Sequence, residues 1–166
     1  MAFRPVLGVL AFVTRGDAVL LVHRTADPAD EQYGLFNGLG GKIEPDEDAV
    51  AALRRELREE AGIEATALTL RGTLSWPAPR GAGEDWFGFV FRVDAFAGEP
   101  PARNAEGTLH WVPRAELTGL RLSPGDAEWL PHVFDEDVAS FHGVVHVAPG
   151  VRPRLSVSLL RRRPEG

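Results

Sequence analysis

Apolar residues crowd Val6–Thr14 and again Ala18–Arg24. The Gly16-Asp17 pair between them reads as a turn joining two strands. Thr25–Gly34 is polar, holds Pro28, and is expected to be a loop. Four glycines follow within the eight residues Gly34–Gly41, which predicts a tightly turned backbone. Pro45, Asp46, Glu47 and Asp48 are then expected to open a helix, because proline and acidic side chains suit a first turn. Val50, Leu53, Leu57 and Ala61 recur at helical spacing as its buried stripe, and Gly62 stops it. Further strands are predicted at Ala65–Trp76, Trp86–Ala95, Thr108–Val112, His142–Val147 and Arg154–Leu160, with a second helix near Pro124–Phe134. This mixed order predicts an α/β fold, an α/β/α sandwich around a mixed β-sheet. No repeat or long linker divides residues 1–166, so one domain is expected, with a short Arg-rich tail over 161–166 read as a solvated terminus.

Composition narrows the chemistry. With 166 residues the chain is long enough to bury a real core. It has no cysteine, which removes disulfides, thiolate metal sites and cysteine nucleophiles together. Acids outnumber bases 24 to 18, giving a net charge of −6. Stable nucleic-acid or anionic-membrane binding is therefore not expected. Lys42 is the single lysine. The apolar run Val6–Val13 behind Arg4 imitates a signal peptide, but no small-residue cleavage site follows, and a cytoplasmic location is expected.

The charge concentrates over residues 41–63, where seven acids face four bases. At 100° per residue, Glu56 and Glu60 sit about 40° apart on one side of the helix, with Glu59 further round. Three carboxylates so close repel one another. Arg55 can pair with Glu59 at i+4, which covers one of the three. A hard divalent cation with oxygen ligands would cover the rest. The glycine-rich loop enters beside this face, offering carbonyl groups to a cation and N–H groups to phosphate oxygens. The arrangement points to metal-assisted phosphate chemistry; an acidic solvated helix face is the plainer alternative. A P-loop is ruled out by Phe36 and Ile43, and no G-x-S-x-G elbow occurs. His142 and His146 share one face of a predicted strand and are read as ordinary strand residues.

Gly41-Lys42-Ile43-Glu44-Pro45-Asp46-Glu47, seven residues, then Arg55-Glu56-Leu57-Arg58-Glu59-Glu60-Ala61-Gly62-Ile63 resembles the Nudix box, G-x5-E-x7-R-E-U-x-E-E-x-G-U with U aliphatic, at every fixed position. Leu35–Lys42, His110-Trp111-Val112, Leu122–Pro131 and Phe141-His142-Gly143 are similar to the MutT-like branch that hydrolyses oxidised purine nucleotides. The resemblance implies a Nudix-type fold and an enzyme that cleaves nucleoside triphosphates, 8-oxo-dGTP-like purines favoured, to monophosphate and pyrophosphate, with Mg²⁺ or in its place Mn²⁺. It implies Glu56 and Glu60 as principal metal ligands, with the Gly40 carbonyl, Glu59 and Glu106. Glu59, Glu60 and Glu106 become the catalytic candidates, and Glu106 either binds metal or serves as general base. Glu47 and Arg55 hold the loop–helix geometry. Arg24 and Lys42 are candidates for phosphate contact or loop support, Gly41 for substrate binding, and Asn37 and Asp126 for base reading. Gly125 and Ser123 depart from the branch's pattern, removing an acceptor and a stacking tryptophan; Trp76, Trp86, Phe87 or Trp129 would then stack on the base. ADP-ribose, dinucleoside polyphosphates, nucleotide sugars and capped RNA remain alternative substrates, and a nucleotide-sensing module without catalysis is a third reading. The partner is a small nucleotide, and the chain a monomer or homodimer.

Overall fold

A computed structural model of the chain describes residues 2–79 and 83–164. The last two residues of the expected tail, Glu165 and Gly166, lie outside the described residues. Strands β1 (Val6–Arg15), β2 (Ala18–Arg24), β3 (Phe36–Asn37) and β4 (Leu39–Lys42) precede helix α1 (Ala49–Ala61). They are followed by β5 (Glu64–Trp76), β6 (Trp86–Ala97), β7 (Gly107–Pro113), a short helix α2 (Asp126–Trp129), β8 (Val138–Ala148) and β9 (Val151–Arg161).

The described strands form one mixed sheet in the order β3-β2-β1-β6-β5-β8-β9, with β7 also on β2 and β4 on β1. The β1–β6 and β5–β8 pairs are parallel and the others antiparallel. One edge of β1 is divided. Gly8–Ala11 pair with β4, while Val13–Arg15 pair with β2.

Alternation along β1 and β6 sends side chains to two cores, as the strand period requires. Val9, Ala11, Val13, Phe91 and Val93 pack under Ala52, Leu53, Leu57 and Ala61 of α1. Phe12, Leu74, Val90 and Phe141 pack with Trp129, Leu130 and Val133 on the opposite face. These two covered faces make the α/β sandwich expected from the element order. Arg71, fully buried on β5, donates to the carbonyls of Val133, Asp135 and Val138 at 2.8–2.9 Å and pins the segment after α2 to the sheet.

Three local expectations change. The residues Gly34–Gly41 are not one tight turn: β3 and β4 are extended, because long-range pairing with β2 and β1 claims them. Pro45, Asp46 and Glu47 lie before the helix, and Asp48 is its N-cap, accepting from the Ala51 N–H at 2.8 Å. The second helix is a single α-turn followed by a 3₁₀ turn over Leu130–Val133, since Pro131 has no N–H to continue an α-helix.

Candidate active site

Helix α1 places Arg55, Glu56, Glu59 and Glu60 opposite β4. Two glycines of β4 leave room on its two sides, Gly40 toward β1 and Gly41 toward the helix. Gly40 has φ +151°, and a Cβ there would lie 2.0 Å from the Val9 carbonyl oxygen. A Cβ on Gly41 would lie 2.4 Å from Glu56 Oε1. Bare backbone at Gly41 therefore lets the Glu56 carboxylate lie directly against the strand.

Arg55 is the hub of the loop–helix junction. It donates to Glu47 through Nε and Nη2, to Glu56 at 2.8 Å and Glu59 at 3.3 Å through Nη1, and to the Lys42 carbonyl at 3.0 Å. Helical spacing alone expected it to cover Glu59; the fold brings Glu56 and Glu47 to it as well. The pair with Arg55, together with the Glu44 N–H, holds the Glu47 carboxyl below its ordinary range.

Glu60 has a different environment. It accepts from the Gly40 N–H at 2.9 Å. Burial pushes its carboxyl up to about 8, helped by the nearby charges of Glu106 and Glu56 and opposed by that N–H. Glu106 pairs with Arg24 at 2.9 Å, and Arg24 also pairs with Asp30 at 2.6 Å. Asn104 ties the Glu106 loop to α1. Its amide donates to the Glu60 carbonyl at 3.2 Å, and its Oδ1 accepts from the N–H groups of Glu106 and Gly107 at 2.9 and 3.1 Å. Glu59 lies further out, with its side chain 60% exposed.

Among the described residues, no three His, Asp or Glu side chains are already gathered at metal-binding distance. The donor chemistry nevertheless fits a hard divalent cation. Glu56, Glu60 and Glu106 supply only oxygen, and the charges of Glu106 and Glu56 add to the burial that raises Glu60, a load a cation would relieve.

A cavity of about 690 Å³ adjoins this cluster. Arg24, Gly40, Gly41 and Glu106 form one part of its wall, and Asn37, Ser123 and Asp126 another. Asn37 Nδ2 donates to Gln32 at 2.7 Å, and Ser123 Oγ donates to Asn37 Oδ1 at 3.4 Å. Asp126 accepts from Trp129 Nε1 at 3.0 Å, while burial pushes its carboxyl up to about 7.

Trp76 and Trp86 also line the cavity, and they face each other across β5 and β6. Gly88, paired with Gly8 across β1 and β6, leaves the space the Trp76 indole occupies: a Cβ there would lie 2.9 Å from its ring, whereas at Gly8 the nearest atom would be the Gly41 carbonyl oxygen at 3.2 Å. Lys42 Nζ sits 5.5 Å from the centre of the Trp86 ring. Of the other aromatic candidates, Trp129 is a fully buried core residue, and Phe87 packs on Phe89 on the α1 side. His142 bonds Thr73 and Ser140, both on strands of the sheet. Asp30, Gln32 and Asn104 carry no motif signal as site residues, and Ser123 stands out in the sequence only as a departure from the branch's pattern. The Asn104-x-Glu106-Gly107 pattern is a local signal, since asparagine favours such backbone-capping turns.

A family model described as NUDIX domain matches residues 4–133. A putative 8-oxo-dGTP diphosphatase 2 from Mycobacterium tuberculosis is 33% identical over 132 residues, covering 74% of this chain and 83% of that protein. The CTP pyrophosphohydrolase of Escherichia coli is 52% identical over 58 residues, 35% of this chain; the match spans 42% of that protein's length. The crystal structure of a MutT protein from Bacillus halodurans superposes with a TM-score of 0.78 at 27% identity, covering 93% of this chain and 97% of that one.

Proposed function

This chain belongs to the NUDIX domain family and is a Nudix hydrolase; from that premise we propose that it cleaves nucleoside triphosphates to a monophosphate and pyrophosphate in a divalent-metal-dependent reaction. The favoured substrates are purine triphosphates of the 8-oxo-dGTP kind, and the role is sanitation of the cytoplasmic nucleotide pool. One observation carries the reading: a single cavity runs from Glu106, Arg24 and Gly40, at the edge of the carboxylate cluster, to Asn37 and Asp126, an amide and a carboxyl suited to a base edge. Asn37 and Gly40 are three residues apart, a span of at most about 10 Å in extended chain. Base and phosphates of one nucleotide can thus be read from one strip of backbone.

Glu56 and Glu60, with the Gly40 carbonyl, would hold Mg²⁺ or Mn²⁺. Glu59 is the outer member of that set. When bound, the cation neutralises phosphate charge and orients the phosphates for attack by water. The protein's own groups do the rest. Arg24 and Lys42 offer positive charge beside the cleft. Glu106, on the cavity wall, is the proton acceptor for the attacking water. Arg55 and Glu47 keep β4 and α1 in register. Trp76 and Trp86 offer flat apolar area to a base, and Asn37 and Asp126 offer both donors and acceptors to its edge.

The test is a panel of oxidised and ordinary nucleoside triphosphates assayed for pyrophosphate release, with product identification. Preferential turnover of oxidised purine triphosphates is expected. The similarity to a CTP pyrophosphohydrolase favours a second reading, a pyrimidine triphosphate substrate, so CTP belongs in the panel. Faster turnover of ADP-ribose than of every triphosphate would overturn both.

A further inference from the structure

Arg24 is held on two sides. Its Nε donates to Asp30 Oδ2 at 2.7 Å, and its Nη2 reaches the same oxygen at 2.6 Å. Its Nη1 lies 2.9 Å from Glu106 Oε2. Asp30 is itself anchored by backbone. Its Oδ1 accepts from the Gln32 N–H at 3.0 Å, its N–H donates to the Asp27 carbonyl at 3.1 Å, and its carbonyl accepts from the Tyr33 N–H at 2.9 Å. The Gln32 N–H, then the Arg24 guanidinium, holds the Asp30 carboxyl below its ordinary range, so it stays ionised near neutral pH. Glu106 and Arg24 both line the cavity, whereas Asp30 does not.

Resting on the reading of the site as a nucleotide pyrophosphohydrolase, we propose that Asp30 is a positioning residue for the reaction. It fixes the Nε–Nη2 edge of Arg24 so that Nη1 alone faces the cleft, where Glu106 and a substrate phosphate oxygen exchange as its partner. A guanidinium clamped along one edge loses little rotamer freedom when it meets a phosphate, which is the advantage of a preorganised fork. The same loop carries Gln32, whose side chain accepts from Asn37 at 2.7 Å. Residues 30–32 thus hold the phosphate-side arginine with one side chain and the base-side amide with another. Nothing in the 41–63 box would reveal this, because Asp30 lies outside it.

A double-mutant cycle tests the proposal on the full-length protein. For whichever nucleotide the wild type turns over, Asp30→Asn should raise KM about tenfold and lower kcat less than about threefold, the loss expected when one charge-assisted contact is misaimed. In an Arg24→Gln background the same substitution should change KM less than about twofold. An undiminished Asp30→Asn effect in that background would overturn the proposal, as would no effect in the wild type. If Asp30→Asn does not fold, Asp30→Glu takes its place, with an intermediate rise in KM expected.

A second arm does not depend on turnover. In ¹⁵N-labelled protein the Arg24 Nε–H resonance, assigned by Arg24→Lys, should be protected from exchange and should lose that protection in Asp30→Asn. It should persist when inorganic pyrophosphate and Mg²⁺ are added. Exchange unchanged by the variant, or protection lost on adding pyrophosphate, sinks the clamp. If no nucleotide is hydrolysed, the functional reading fails and this arm alone decides the role of Asp30.

Discussion

Glu60 and Asp126 are two carboxyl groups raised by burial, and they call for different experiments. Glu60 lies against Gly40 in a cluster with Glu56 and Glu106. Glu60→Gln keeps its volume and removes its charge, so the fold should persist while kcat falls on the order of 10²–10³-fold; steady-state kinetics beside a thermal melt checks both halves. Asp126 bears on stability as well as binding. Its carboxyl is raised from the ordinary 3.8 to about 7, so between these values the folded chain keeps a proton that the unfolded chain has released. Stability from this group therefore falls as pH rises from about 4 to 7, and above 7 a buried charge remains. Asp126→Asn should gain in Tm relative to wild type between pH 5 and pH 8; a constant difference would contradict the assignment. The spacing of Glu56 and Glu60 is legible in the sequence because helix geometry follows from local pattern. Asn104 meeting Glu60, 44 residues away, is not, because no local rule brings those residues together.

Helix α1 is the element that orders the site, and its ends are made by side chain and backbone in turn. Asp48 caps its start, while Gly62, at φ +62°, closes it with N–H bonding back to Arg58 and Leu57 carbonyls. Asp48→Ala should cost about 1 kcal/mol. Gly62→Ala should cost about 1–2 kcal/mol, because a Cβ disfavours the left-handed region. Both are checked by urea denaturation, and with the carboxylates untouched, kcat should fall less than about twofold in each. The helix and its stop were readable from period and glycine. The short strands β3 and β4 were not: four glycines in eight residues imply a turn locally, and only pairing with β2 and β1 makes the segment extended. Pro131 broke the second helix into two turns for a reason visible in the sequence, although the apolar spacing around it argued for continuity.

At the scale of the whole molecule, the proposed function puts cation and nucleotide side by side, so their binding should be coupled. Mg²⁺ and a non-hydrolysable nucleoside triphosphate together should raise Tm by more than the sum of their separate shifts, since each screens charge the other must face. Additive shifts in a thermal-melt titration would argue against a shared site. No helix among the described residues is long and apolar enough to cross a membrane. The sequence alone determined the mixed α/β class, the carboxylate helix and the family, because these depend on periodicity, spacing and fixed residue types. The tertiary structure alone decided which carboxylates stay paired with arginine, that Trp76 and Trp86 offer partly exposed indoles to the cavity while Trp129 on its wall is fully buried in the core, and that Asp30 grips Arg24. Those outcomes depend on strand register and on the space left by Gly41 and Gly88, which chain neighbours do not encode.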